Sequence, residues 1–229
     1  MNTDNVKKIA DIPFSDTLGL DVYLPDSSVH SGARPMIMWV HGGGFRPGND
    51  KTQSYIVEFS TEFAKRGYVC VAPDYRLRDN PKDDMPGTIR DAVQDVDAAL
   101  TWVREGADRF NIDPRTVYLA GGSAGGMTVV TLCYTTTSRL NGLINLWGSP
   151  SPELTESFTF EEQTPYFSVH GTADALVPYS NAPALLQKLE AHGVDAELMT
   201  IPDAPHTPMV HKDEIIERIQ LFLKRFEPA

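Results

Sequence analysis

The chain has 229 residues, 41% of them hydrophobic, 9% aromatic and 22% charged, values of an ordinary globular protein with enough chain for one well-filled core over residues 1–229. Its 20 basic against 31 acidic residues leave a net charge of -11, which repels phosphate backbones and anionic membrane surfaces and argues against nucleic acid or a membrane as partner. No apolar run approaches the length of a membrane span. The two cysteines, Cys70 and Cys133, both lie in apolar runs and read as buried small hydrophobes rather than a disulfide. The opening residues Met1 to Lys8 hold no apolar leader region, so the expectation is a cytoplasmic protein, or a secreted one whose leader has been removed.

In chain order, Ile12 to Asp16 and Leu20 to Leu24 predict two short strands joined as a hairpin through Gly19. Met36 to Val40 is a continuous apolar run, the mark of a central parallel strand covered on both faces. The loop His41-Gly42-Gly43-Gly44-Phe45 follows it, then a helix from about Thr52 to Lys65 and a buried strand Tyr68 to Ala72. A loop from Asp74 to Pro86 leads into a helix from about Thr88 to Glu105, whose apolar residues recur at helical spacing.

Next comes the strand Thr116 to Ala120, the stretch Gly121-Gly122-Ser123-Ala124-Gly125-Gly126, and the apolar segment Met127 to Tyr134. Three more strands are predicted at Leu143 to Trp147, Tyr166 to His170 and Ala196 to Ile201, with helices from about Asn181 to His192 and Val210 to Phe226. The alternation predicts an α/β chain with an eight-stranded, mostly parallel sheet, the second strand antiparallel, and helices on both faces.

Groups that do chemistry in open α/β sheets gather at the carboxyl ends of the strands. Ser123 sits at the apex of a GxSxG turn, where flanking glycines push the hydroxyl out of the backbone. A serine is a poor nucleophile until a histidine takes its proton. His206 is placed to do so, since it alone of the six histidines lies in a loop beyond a strand end downstream of Asp174. Asp174 can hold the imidazole in the right tautomer, and the order Ser, Asp, His is the one this kind of sheet uses. The glycines after His41 leave amide N–H groups for a developing oxyanion, together with the N–H of Ala124. His41 itself precedes the elbow and reads as a residue that orders this loop. There is no HExxH, CxxC, GxxxxGK[ST] or GxGxxG, so neither metal nor cofactor is expected.

With HGGGF, GGSAGG, HGTAD and the loop histidine in order, the chain from about Val22 to Phe226 resembles the α/β-hydrolase esterases of the hormone-sensitive-lipase-like and bacterial feruloyl-esterase-like branch. Asp74-Tyr75-Arg76 and Val177-Pro178 agree with that branch too. The resemblance implies Ser123 as nucleophile, His206 as general acid and base, Asp174 as its orienting acid, and Gly43, Gly44 and Ala124 as oxyanion donors. GGSAG in place of the GDSAG of lipase-like relatives favours the feruloyl-esterase-like side. Only Gly148 to Pro165 separates the sixth and seventh strands, so no sizeable cap is expected and the site should be open, suited to small acyl groups on bulky or polymeric alcohols.

Topology puts Phe45, Met127, Trp147, Leu176 and Tyr179 at the same edge as candidate substrate contacts, with Arg46 either near a substrate carboxylate or in a surface ion pair. The expected activity is that of a carboxylesterase acting through an acyl-enzyme on short-chain or aryl esters, with acetyl or feruloyl groups on plant polysaccharide as the substrates the resemblance suggests. Two alternatives stand beside it: an arylformamidase or peptidase using the same triad, and a catalytically silent ligand-binding protein on the hydrolase fold. Oligomeric state is not legible.

Overall fold

The computed structural model describes residues 5–136 and 138–227. Eight strands form one sheet: β1 (Lys7–Pro13), β2 (Gly19–Leu24), β3 (Arg34–Val40), β4 (Val69–Pro73), β5 (Ile112–Gly122), β6 (Gly142–Leu146), β7 (Tyr166–Gly171) and β8 (Ala196–Ile201). Five α-helices accompany them: α1 (Ser54–Lys65), α2 (Met85–Glu105), α3 (Ala124–Thr135), α4 (Asn181–Ala191) and α5 (Lys212–Phe226). The spatial order is β1-β2-β4-β3-β5-β6-β7-β8. β2 runs antiparallel to both β1 and β4, and every other pairing is parallel.

Alternation along β3 builds two cores. Met36, Met38 and Val40 face one way, against Ile89, Ala92 and Val96 of α2 and Val129 and Val130 of α3. Ile37 and Trp39 face the other, where Ile56, Phe59 and Phe63 of α1 and Ile215 and Ile219 of α5 cover them. Trp39 stacks on Phe59 at 5.2 Å between ring centroids, and both are fully buried; truncating such a ring costs about 3–5 kcal/mol.

The strand order reverses direction at β3. From β3 the chain crosses by α1 to β4 on one side, then by α2 back to β5 on the other. The crevice between the carboxyl ends of β3 and β5 is therefore the place where loops splay apart and leave room for a ligand.

Several boundaries differ from expectation, β5 among them, which runs from Ile112 to Gly122 rather than from Thr116 to Ala120. The first strand is Lys7–Pro13, not Ile12 to Asp16; Phe14 to Leu18 form the turn, closed by Phe14 N–H donating to Leu18 O at 3.1 Å. β1 is a mostly exposed edge strand, so it lacks the apolar alternation that marks a strand in sequence. Asp11 breaks its register with a left-handed φ of 55°, donating its N–H to Asp21 Oδ1 at 2.9 Å. The second helix starts at Met85 rather than Thr88, after a 3-10 turn Pro81–Asp84 in the expected loop. Asp84 caps it by accepting from Gly87 N–H at 2.9 Å, and Pro86 is tolerated because the first turn needs no donor.

Candidate active site

β5 ends and α3 begins on either side of Ser123, which has φ 55° and ψ -119°. A non-glycine residue in this region is strained and holds only where its surroundings over-determine it. Here Ser123 N–H donates to Leu146 O at 2.9 Å and Ser123 O accepts from Met127 N–H at 3.0 Å. The helix also packs so close to β3 that a Cβ on Gly125 would lie 2.1 Å from Val40 O, so glycine is needed there for close approach. Phe45 and Trp147 likewise carry left-handed φ, 63° and 46°, and all three line one cavity. Backbone strain is concentrated at this site.

Asp174 follows β7 and His206 follows β8, two parallel neighbours whose loops leave the sheet at the same end. His206 Nε2 stands 2.8 Å from Ser123 Oγ, and His206 Nδ1 stands 2.7 Å from Asp174 Oδ2. A carboxylate only accepts, so Nδ1 carries the hydrogen and Nε2 is free to accept from the serine hydroxyl. Burial pushes the Asp174 carboxyl up, but the bond from His206 and the N–H groups of Val177 and Leu176, at 2.9 and 2.8 Å, outweigh it and hold the group below the usual carboxylate range. Asp174 is thus kept as an anion with a completely buried side chain.

The loop after β3 supplies donors. Gly42 N–H is already taken, by Tyr55 OH at 2.7 Å and Gln53 Oε1 at 3.1 Å. Gly43, Gly44 and Ala124 N–H have no partner among the described residues. Gly43 has φ 104°, and a Cβ there would meet Asn49 Cγ at 2.1 Å; Asn49 fastens the turn by donating from Nδ2 to Gly43 O and Arg46 O, at 3.2 and 2.9 Å.

His41 is fully buried, stacked on Tyr75 at 4.3 Å, with Nδ1 2.8 Å from Gly42 O. Burial pushes its pKa down, so it packs as a neutral ring beneath the loop. The Asp74-Tyr75-Arg76 triplet does the same work from below. Asp74 accepts from Lys51 Nζ at 2.7 Å, Tyr75 OH donates to His41 O at 2.9 Å, and Arg76 Nε donates to Asp95 Oδ2 at 2.8 Å.

Beside Ser123 opens a cavity of about 670 Å³, a size that suits a small organic ligand. The expected contacts Phe45, Met127, Trp147 and Leu176 line it, with Gly43, Gly44, Ala124 and His206. Tyr179 does not, which corrects its assignment. Its OH is 2.8 Å from Thr200 Oγ1 on β8 and its ring stands edge-on to His170, so the chain has turned away from the cavity by that point. Arg46 lines the cavity and makes no surface ion pair among the described residues. Sequence reasoning missed Tyr55, Lys82 and Met85, which also line it, because the start of α1, the 3-10 turn and the start of α2 carry no signal of which side faces the crevice. It also read His170 as a strand end. His170 is fully buried with Nε2 3.1 Å from Asp174 Oδ2, and its place in HGTAD was the available signal.

Cys70 and Cys133 are both buried and unpaired, on β4 and α3, and burial pushes the Cys133 thiol up to about 12. Among the described residues no helix is long and apolar enough to cross a membrane.

A family model described as BD-FAE matches residues 20–156, and one for the prolyl oligopeptidase family matches residues 147–227. Carboxylesterase 3B of Mus musculus is 32% identical over 193 residues, covering 80% of this chain and 32% of that protein. The AB hydrolase superfamily protein C1039.03 of Schizosaccharomyces pombe is 34% identical over 113 residues, 49% of this chain and 31% of that protein. The chain thus spans about a third of the length of these curated relatives. Among solved structures, esterase 2 of Thermogutta terrifontis superposes with TM-score 0.75 at 21% identity, over 100% of this chain and 98% of that one. A truncated carbohydrate esterase from gut microbiota superposes with TM-score 0.80 at 18% identity, over 98% of each. These likenesses place the sheet and helices in the α/β-hydrolase fold. With a match that spans more than half of its length, from β2 through the glycine loop after β3 and the turn at Ser123, the chain belongs to the BD-FAE family.

Proposed function

We propose that this chain is a serine hydrolase of carboxylic esters. The observation that carries the reading is the unbroken hydrogen-bond path Ser123 Oγ, His206, Asp174, with spans of 2.8 and 2.7 Å, opening on a cavity edged by unpartnered amides. Ser123 Oγ attacks the ester carbonyl carbon while its proton passes to His206 Nε2, and the imidazolium is stabilised by Asp174. The oxygen of the tetrahedral intermediate takes its charge against the N–H groups of Gly43, Gly44 and Ala124. On collapse the C–O bond to the alcohol breaks, and His206 returns the proton to the leaving oxygen. Water then attacks the acyl-Ser123, giving its proton to His206, and the acid leaves as Ser123 recovers its hydrogen.

The substrates we favour are short-chain or aryl acyl esters, including acetyl or feruloyl groups on plant polysaccharide. Membership of the BD-FAE family and the likeness to a carbohydrate esterase support this, as do the solved structures of Thermogutta terrifontis esterase 2 with propionate and with butyrate. The segment between β6 and β7 carries one 3-10 turn, Pro152–Thr155, so nothing there closes over the cavity to sequester a long chain. A second reading keeps the triad and changes the bond to an amide or formamide; the prolyl oligopeptidase match over residues 147–227, which includes Asp174 and His206, favours it.

Initial rates on p-nitrophenyl esters of increasing acyl length, methyl ferulate and acetylated xylan, beside matched anilides and an aryl formamide, test both. Ester turnover that falls off beyond short or aryl acyl groups is the expected outcome. Turnover of the amides alone would transfer the assignment to the second reading.

A further inference from the structure

The chain carries 31 acidic residues against 20 basic ones, yet among the described residues no carboxylate lines the cavity beside Ser123, and two cations do, Arg46 and Lys82. Both are exposed, and neither meets a carboxylate within ion-pair distance among the described residues. Acids are close in sequence, but none of them lines the cavity. Asp84 pairs with Arg78, Asp91 with Arg76 and Arg78, and Asp95 with Arg76, while Asp83, next to Lys82, does not line the cavity.

The two cations are also held in place by their backbones. Arg46 N–H donates to Gly43 O at 3.2 Å and Arg46 O accepts from Asn49 Nδ2 at 2.9 Å, so its Cα is fixed against the loop that presents the free amides. The strand-to-helix segment that carries Lys82 is tied to that same loop by Arg78 N–H donating to Phe45 O at 2.9 Å. Thr88 Oγ1 donates to Pro81 O at 3.1 Å and holds the turn from its other end. A positive rim on a strongly acidic molecule focuses an anion where the rest of the surface repels it.

Resting on the esterase reading, we propose that the ester this site takes bears a carboxylate, met at the cavity mouth by Arg46 and Lys82. Arg46 offers the planar, two-pronged donor set that matches a carboxylate, and Lys82 a compact charge. Exposed pairs of this kind are individually modest, so together they are expected to give about a five- to tenfold preference at low salt.

Two substrate pairs test this. 4-Acetoxybenzoate against methyl 4-acetoxybenzoate puts the charge on the alcohol side. The mono-4-nitrophenyl ester of adipic acid against its methyl ester puts it on the acyl side. Each kcat/KM is divided by the ester's own rate with hydroxide. The expected result is a preference for the acid member of at least one pair, weakened between 0.05 and 0.5 M salt as charges are screened, and reduced towards unity in the double variant Arg46→Gln, Lys82→Gln. Cleavage by the wild type without preference in either pair, or a preference that survives the double variant, overturns this inference and leaves the esterase reading standing. No cleavage of any of the four esters overturns both.

Discussion

Nε2 of His170 lies 3.1 Å from Oδ2 of Asp174, the same oxygen that stands 2.7 Å from Nδ1 of His206. Nε2 is also 3.1 Å from the carbonyl oxygen of Val177, which only accepts, so this nitrogen carries the hydrogen and His170 donates. Burial pushes its pKa down, so it is a neutral ring whose one hydrogen goes to Val177 O beside the anion. By holding Val177, whose own N–H donates to Asp174 Oδ1, His170 is expected to act as a positioning residue for the carboxylate. Replacing His170 with Leu should lower kcat about tenfold, roughly 1.4 kcal/mol in the barrier, with little change in KM. Gln, whose Nε2 can occupy the same place, should restore most of it. Equal rates for the Leu and Gln variants would contradict this role.

Asp174→Asn tests the tautomer argument. Oδ1 of the carboxylate accepts from the amides of Leu176 and Val177, and the amide oxygen of Asn is expected to keep that place. The NH₂ group then faces His206 Nδ1 and moves the imidazole hydrogen to Nε2, where it cannot take the proton of Ser123. Steady-state kinetics should show kcat reduced on the order of 10⁴-fold with the fold unchanged by circular dichroism. A loss below about tenfold would mean that Asp174 does not set the tautomer.

Gly43→Ala addresses the oxyanion loop. The left-handed φ of 104° and the 2.1 Å approach to Asn49 both oppose a side chain, so the turn should shift and carry the Gly43 and Gly44 amides with it. The expected loss in kcat is about 10²- to 10³-fold, on the proposed role of these amides as donors to the oxyanion rather than to the bound ester. A rise in KM at constant kcat would instead assign the loop to substrate binding.

These effects separate what was legible in the sequence from what was not. The elbow, the glycine loop, Asp174 and His206 stood out because each couples a turn residue or a titratable group to the carboxyl end of a strand legible in the sequence, and the structure brings all of them together. β1 did not, since an exposed edge strand has no buried face to impose alternation. Tyr179 was misplaced because chain proximity to Asp174 says nothing of the turn that sends its hydroxyl to Thr200. Tyr55 and Lys82 meet the cavity through elements far from Ser123 in sequence, and no local pattern encodes that; His170 had a local signal in HGTAD that its reading as a strand end passed over.

Two buried histidines make stability depend on pH. Burial pushes the pKa of both His41 and His170 down, against the weaker pull of Asp74 and Asp50 on the first and Asp174 on the second. The unfolded chain then binds protons that the folded chain refuses, so stability falls as pH drops below the ordinary histidine value of about 6.5. Each histidine contributes up to about 1.4 kcal/mol per pH unit in that window. The depressed Asp174 carboxyl adds a loss only at lower pH, once it too is protonated. Urea unfolding at pH 7.5 and pH 5.5 should show the decline, and equal stabilities at the two values would contradict it.

The central claim is that Ser123 becomes covalently acylated. Rapid mixing of the enzyme with p-nitrophenyl acetate, acid quenching within the first turnover and mass analysis of the digested chain test it directly. The account predicts one acetyl group on the peptide that contains Ser123, with a matching burst of p-nitrophenol, and neither in Ser123→Ala. An acetyl group on another residue, or ester turnover near the wild-type rate in Ser123→Ala, would contradict it.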